Sequence, residues 1–325
     1  MKGYKGKEVL ITGGLGAIGS NLAIRVVENG ANVTILDNKL ENSGANINNI
    51  REVKDKVTLI IGDIRNEDDI RKSVKDKDII FNCAAQISHV ISMESPYLDL
   101  DINLKGNIML LEGCRKHNDN VKIVYTGTRG QIGKLDYMPA NEDHPDNPTD
   151  IYGINKLIAE HYHVIYYQYY GIRATSIRLV STYGPRAQID HPLHSIINWF
   201  IGMSLKNKTI PLYKPGTQKR DCTYVDDAIE ALMLAGLSKK SDGQVYNLSS
   251  GNKIPLVQIV KKIIEISGKG KYEFVSWPKI REKIEVGDTL LSYNKIKKDL
   301  GWEPKTNLDE GLRKTIEFYK QRQPN

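Results

Sequence analysis

The chain has 325 residues, 40% hydrophobic and 26% charged, with a net charge of +7. That is enough for a large core in one large or two modest domains, and no apolar stretch approaches the ~20 residues of a membrane helix. The basic start Met1-Lys2-Gly3-Tyr4-Lys5-Gly6-Lys7 lacks the apolar segment of a secretory signal, which predicts a cytoplasmic protein.

The first half alternates short apolar strands with helical segments. Strands are predicted at Glu8–Thr12, Asn32–Leu36, Val57–Ile61, Asp78–Asn82, Val121–Thr126 and Ala174–Leu179. Their apolar residues are crowded, as in strands covered on both faces. Helices are predicted between them at Ala17–Asn29, Asn66–Lys75, Ser95–Lys116 and Thr149–Tyr170. Such alternation predicts an α/β fold with a doubly wound parallel sheet and a ligand at one strand edge. After about Val180, Pro and Gly become frequent, at Tyr183-Gly184-Pro185-Arg186 and Lys214-Pro215-Gly216. Shorter elements follow, then helices at Leu256–Ser267 and Leu308–Gln321, which read as a smaller substrate-covering region.

The lysines are spread along the chain, with no basic block or basic-aromatic ladder, so nucleic-acid binding is not expected. Cys83, Cys114 and Cys222 form no CxxC pair, so neither a disulfide framework nor a zinc site is expected.

Gly13-Gly14-Leu15-Gly16-Ala17-Ile18-Gly19 sits between the first strand and the first helix, the context of a dinucleotide cradle. Gly13 allows the turn out of the strand, Gly16 lets the backbone approach a pyrophosphate, and Gly19 lets helix and strand pack closely. The helix start at Ala17 and Ile18 offers N–H groups and a positive dipole to phosphate. Asp37, 18 residues after Gly19, ends the second strand, with Asn38 beside it. A carboxylate there accepts from ribose hydroxyls and repels a 2′-phosphate, which predicts NAD over NADP, although Lys39 leaves room for some NADP use. Asp63-Ile64 is expected to hold the adenine. Ala84-Ala85-Gln86 is small where the backbone passes the cofactor. Asn103 falls mid-helix, where it is unfavourable, and is expected to hydrogen-bond backbone at the site.

Tyr152 and Lys156 stand at i and i+4 on a predicted helix and so share a face. A nearby ammonium and the positive nicotinamide are both expected to lower the phenol pKa, making Tyr152 a general base near neutral pH. Thr128, just past the fifth strand, is placed to hold the reacting oxygen and share a proton with Tyr152.

At these residues the chain resembles the extended short-chain dehydrogenase/reductase family, specifically its NAD-dependent nucleotide-sugar epimerases and dehydratases. The ordered matches run from Thr12–Gly19 through Asp37, Gly62-Asp63-Ile64, Ala84-Ala85-Gln86, Asn103, Thr128, Tyr152/Lys156 and Tyr183-Gly184-Pro185. They continue through Arg220-Asp221-Cys222-Thr223-Tyr224-Val225-Asp226-Asp227 to Leu300-Gly301-Trp302, nearly the whole chain. The resemblance implies a Rossmann-like NAD-binding domain over 1–180, carrying the Tyr/Lys helix. It implies a smaller α/β nucleoside-diphosphate-sugar domain over 181–325, with a possible crossing back to the sheet. It places Arg220 at the nucleotide, Arg281 as a second phosphate ligand and Ser88 against the sugar. It also implies a homodimer through the helix around 95–116 and the tyrosine-rich catalytic helix.

Three positions depart from the family pattern. Arg129-Gly130 follow Thr128 where dehydratases carry a carboxylate, which disfavours 4,6-dehydration and decarboxylation. Ser181 replaces an asparagine that contacts the substrate diphosphate. Asn82-Cys83 replaces His-Leu, with no evident consequence. The reading is therefore a nucleotide-sugar 4-epimerase with a transient 4-keto intermediate, with UDP-hexoses as first candidates. The nearest alternative is a net C4 dehydrogenase or another keto-sugar-forming enzyme. A non-catalytic dinucleotide sensor is disfavoured, because both Tyr152 and Lys156 are present.

Overall fold

The computed structural model describes residues 3–41 and 43–322; Met1 and Lys2 of the basic start lie outside them. The predicted strands become β1 (Glu8–Thr12), β2 (Asn32–Asp37), β3 (Val57–Ile61), β4 (Ile79–Asn82), β5 (Lys122–Thr128) and β6 (Arg173–Leu179). Further on come β7 (Ser181–Tyr183), β8 (Thr209–Tyr213), β9 (Lys219–Tyr224), β10 (Val245–Asn247), β11 (Lys253–Pro255) and β12 (Lys271–Val275).

Among the described residues the main sheet has seven strands, in the order β10-β6-β5-β4-β1-β2-β3, and every pairing within it is parallel. Crowded apolar sequence becomes burial on both faces: β4 is wholly buried and β5 nearly so, whereas β3, at the edge, leaves Ile61 59% exposed. Helices Ala17–Glu28 and Val225–Leu237 pack together on the sheet; Glu67–Val74, Gly106–His117 and Ile151–Tyr170 form a second packed group. The order reverses between β1 and β4, and a ligand cleft forms at such a switch point, at the carboxyl ends of the strands.

Two elements of the second half return to this layer. Strand β10 pairs with β6, and helix Val225–Leu237 packs on β4 and β5. The rest builds a smaller lobe. Strand β9 is parallel to β7 and antiparallel to β11, β8 pairs with β12, and helices Ile196–Leu205, Leu256–Ser267 and Leu308–Lys320 pack together. No helix among the described residues is long and apolar enough to cross a membrane.

The single helix predicted over Ser95–Lys116 is interrupted. It runs as Pro96–Leu100, a π turn over Asp101–Lys105, and Gly106–His117. Asn103 and Asn107 lie here, and the Asn107 amide donates to the Asn103 carbonyl. Side-chain amides entering the helical ladder loosen it locally, and such π turns mark functional positions.

Candidate active site

The glycine loop leaves β1 in a turn that needs its glycines. Gly13 has φ +65°, and a Cβ there would lie 2.8 Å from the Ala84 backbone. A Cβ on Gly19 would lie 2.3 Å from the Gly13 carbonyl oxygen. Gly16 caps the helix Ala17–Glu28 with no side-chain acceptor, so the first turn's N–H groups and dipole are left for a ligand. A recess of about 150 Å³ is lined by Gly13, Gly16, Ala17, Ile18, Gly19, Asp37, Asn38, Asp63, Ile64, Ala84 and Ala85. Asp37 is buried at its edge; one oxygen accepts from Leu15 N–H at 3.0 Å and the other from Lys39 N–H at 2.8 Å. Burial pushes its carboxyl pKa up, against those two hydrogen bonds. Burial also acts to raise Asp63, but the fork of Arg65 and the Asn38 amide overcome it and hold the carboxyl at about 2.

Gln86 and Asn103 do not line the cleft; the Gln86 amide and the Asn103 Nδ2 are engaged beneath it, while Asn103 Oδ1 is buried without a partner. Asn103 Nδ2 donates to the Gln86 carbonyl at 2.8 Å and to Asp99 Oδ2 at 3.0 Å. Gln86 Nε2 donates to the same Asp99 oxygen at 2.6 Å, and Asn155 donates to the other at 2.8 Å. Fully buried Asp99, which the sequence reading missed, thus ties the loop after β4 to the residue before Lys156. A second chain of polar groups starts at the glycine loop. Thr12 Oγ1 donates to Asn82 Oδ1 at 2.7 Å, and Asn82 Nδ2 donates to Asn107 Oδ1 at 2.7 Å. The departure at Asn82 therefore has a consequence: it joins β1 to the helix after the π turn.

The recess opens through Ala17, Ile18, Cys83 and Ala85 into a wider cleft of about 380 Å³. Tyr152, Lys156, Thr128, Ser88, Ser181, Arg220 and Arg281 all line it. The Thr128 side chain faces the Tyr152 phenol across the cleft wall, and its hydrogen-bonding influence acts to lower the phenol's pKa. Thr128 is fixed by a capping box: its Oγ1 accepts from Gly130 N–H at 3.1 Å and its own N–H donates to Gln131 Oε1 at 2.6 Å. Asp150 caps the helix Ile151–Tyr170 at Gly153 N–H, 2.8 Å, and its other oxygen meets His89 Nδ1 at 2.5 Å. The His89 ring stands edge-on to Tyr152 with centroids 4.9 Å apart.

Within the protein, burial works against the expected lowering of the phenol, and Lys156 is not among the groups that act on it most. The Lys156 ammonium donates to the Thr126 carbonyl at 2.7 Å and lies over the Tyr125 ring at 4.2 Å. Burial raises Tyr152 above the ordinary phenol range, and the Thr128 hydrogen bond and the Arg129 charge only partly oppose it. Burial likewise drives Lys156 down to about 7.

The substrate-side residues are also more committed than expected. Arg220 pairs with Glu285 at 2.5 Å and donates to the Gly287 carbonyl at 2.8 Å. Arg281, on the short helix Lys279–Lys283, donates to the Pro192 carbonyl at 3.1 Å. Ser88 spends its hydroxyl capping the helix His89–Glu94.

A glycine cradle at the switch point of a parallel sheet, with Tyr, Lys and Thr side chains on one cleft wall, defines a protein of the short-chain dehydrogenase type. The family model described as GDP-mannose 4,6 dehydratase matches residues 10–315. The chain belongs to the extended short-chain dehydrogenase/reductase family of NAD-dependent nucleotide-sugar epimerases and dehydratases. It is 35% identical over 319 residues to a putative UDP-glucose 4-epimerase of Methanocaldococcus jannaschii, covering 96% of this chain and 98% of that one. The UDP-glucose 4-epimerase of Thermotoga maritima, solved with UDP-glucose, superposes with TM-score 0.88 at 30% identity, covering 97% of this chain and 99% of that one. The Thermus thermophilus UDP-glucose 4-epimerase, solved with NAD, gives TM-score 0.86 at 29% identity over 96% of this chain and 99% of that one.

Proposed function

We propose that the protein is an NAD-dependent nucleotide-sugar 4-epimerase that works through a transient 4-keto sugar, in the cytoplasm and as a homodimer. The cradle fits a dinucleotide, since its glycines stand where a Cβ would strike backbone and its helix start is uncapped. Gly13, Gly16, Ala17, Ile18 and Gly19 would hold the pyrophosphate through the main chain. Asp37 would take the ribose hydroxyls with the lone pairs that Leu15 and Lys39 leave, with Asn38 beside it, and Asp63 and Ile64 would flank the adenine. Ala84 and Ala85 keep the passage open, and Gln86 and Asn103 hold its walls. NAD supplies the acceptor that takes a hydride from C4 and gives it back.

The chain's own residues handle the proton. Tyr152 takes it from the C4 hydroxyl as the C4–H bond breaks, and returns it to the same oxygen when hydride comes back on the opposite face. Thr128 keeps that oxygen in line. Between the two steps the keto sugar turns about its diphosphate anchor, in the wide part of the cleft lined by Ser88, Ser181, Arg220 and Arg281. A nucleoside-diphosphate sugar is thus the substrate class, and UDP-hexoses are the first candidates because the similar Thermotoga enzyme was solved with UDP-glucose.

The observation that carries the reading is Thr128 and Tyr152 side by side on the cleft wall, where among the described residues the neighbouring carboxylate Asp150 is already engaged. Arg129-Gly130 occupy the place of the dehydratase acids, and Asp150 is held by His89 and Gly153. The test is product analysis with UDP-hexoses. A C4 epimer without NADH build-up is the expected result. Stoichiometric ketone with NADH would mean a net dehydrogenase, and a deoxy-keto sugar a dehydratase.

A further inference from the structure

The proposed reaction leaves Arg129 unused. It follows Thr128 directly, opens the turn Arg129–Gln131, and lines the wide part of the cleft. Its Nη1 is fully enclosed with no hydrogen-bond partner, and its guanidinium makes no side-chain hydrogen bond or ion pair with any described residue. The other arginines in or near the cleft all have partners: Arg220 pairs with Glu285, Arg186 with Glu52 and Asn21, Arg281 donates to the Pro192 carbonyl, and Arg178 pairs with Glu160 although its own Nη1 is unpartnered.

Two acids face Arg129, and neither bonds it. Asp150 is committed through both oxygens, to Gly153 N–H and to His89; Glu285 accepts from Arg220 and from Gly287 N–H, both on Oε1. Burial, with Arg220 nearby, pulls the Arg129 pKa down to about 10, so the group is still a cation at neutral pH. A half-buried cation with an enclosed, unpartnered N–H group is costly until an anion docks on it.

The position of the charge indicates which anion. Arg129 adjoins Thr128 and lines the same cleft as the Tyr152 phenol, which is itself among the groups that feel the guanidinium charge. The free fork therefore lies at the reacting end of the sugar. A planar fork suits a carboxylate, which it can bind in two parallel hydrogen bonds. A carboxylate beside Tyr152 would also oppose formation of a phenolate unless a cation neutralised it.

We infer that Arg129 reads a carboxylate on the carbon next to C4, so that the preferred substrate is a nucleoside-diphosphate hexuronate. The inference rests on the nucleotide-sugar reading above and adds the substrate's charge.

The test is calorimetric titration of the NAD-loaded protein with UDP-glucuronate, UDP-glucose and UDP. UDP-glucuronate is expected to bind about 10- to 100-fold tighter than UDP-glucose. Arg129→Gln is expected to bring the two within about threefold while UDP binds as before, and Arg129→Lys, which keeps charge but not the fork, to fall between. No preference in the unmodified protein would overturn the inference. So would an Arg129→Gln variant that loses UDP as much as UDP-glucuronate, since the anion would then be the diphosphate. Product analysis of the same samples separates the two claims. Selective uronate binding without a C4 epimer removes the epimerase and keeps the carboxylate site; epimerised UDP-glucose with no uronate preference does the reverse.

Discussion

The Lys156 ammonium is anchored on the Thr126 carbonyl at 2.7 Å, at the end of β5, and not on the phenol one helical turn earlier. This placement buries a cation. Burial brings its pKa from the ordinary 10.5 to about 7, against the pull of Cys83, Asp99 and Glu160. Between those values the unfolded chain holds a proton that the folded chain has released, so stability rises with pH across that window and the contribution is lost as pH falls through about 7. Lys156→Met keeps the volume and removes the titration. Relative to it, the unmodified protein should gain about 2–3 kcal/mol between roughly pH 7.5 and 9.5, read by urea unfolding of both. A difference that does not change with pH would mean that the amine is not shifted.

Tyr152 carries the proton in the proposed reaction, so Tyr152→Phe should lower kcat by about 10²- to 10⁴-fold while NAD binding stays. Thr128→Val makes a sharper test. Burial raises the phenol pKa and the Thr128 hydrogen bond opposes it. Without that bond the phenol is harder to ionise, so the rise of kcat/KM with pH should move to higher pH, with kcat down about 10- to 100-fold. An unmoved profile in Thr128→Val would detach the hydroxyl from the proton transfer.

The parts of the site that depend on local pattern were legible in the sequence. Strand–glycine–helix spacing located the cradle, and an i, i+4 pair put Tyr152 and Lys156 on one cleft wall. What escaped depended on distant contacts. Nothing in the chain around Asp99 signals that Gln86, Asn103 and Asn155 converge on it. The strand β10 is three residues long and gains its place only by pairing with β6. The burial of the phenol escaped for the same reason: spacing gives proximity on a helix, while burial depends on everything packed above it.

Asp37 serves two roles that one substitution can separate. It receives the Leu15 and Lys39 N–H groups, and it faces the recess. Asp37→Ala should raise the Kd for NAD by about 10- to 100-fold by fluorescence titration, and should weaken NADP less, because the charge that repels a 2′-phosphate is gone. It should also lower stability by about 1–3 kcal/mol through the two stranded donors, which a melt without cofactor reads separately. Unchanged NAD affinity in a folded Asp37→Ala variant would remove the ribose assignment.

The tyrosines that suggested a dimer face lie partly elsewhere. Tyr166 is buried and Tyr162 packs against the core beneath the catalytic helix. The outward stripe is instead Ile154, Ile158, Ile165 and Tyr169, which are 43%, 37%, 47% and 79% exposed. Their spacing puts them on one side of the helix Ile151–Tyr170, opposite its buried side. Tyr97, on the neighbouring helix Pro96–Leu100, is 81% exposed. A helix apolar on two sides is suited to a partner on the second. A second copy using the same stripe would pair helix on helix about a two-fold axis. Ile158→Lys with Ile165→Lys should therefore give a folded monomer by sedimentation where the unmodified protein sediments as a dimer. Tyr152 and Lys156 lie on the buried side of that helix, so the monomer should still bind NAD. An unmodified protein that sediments as a monomer at micromolar concentration would rule the dimer out.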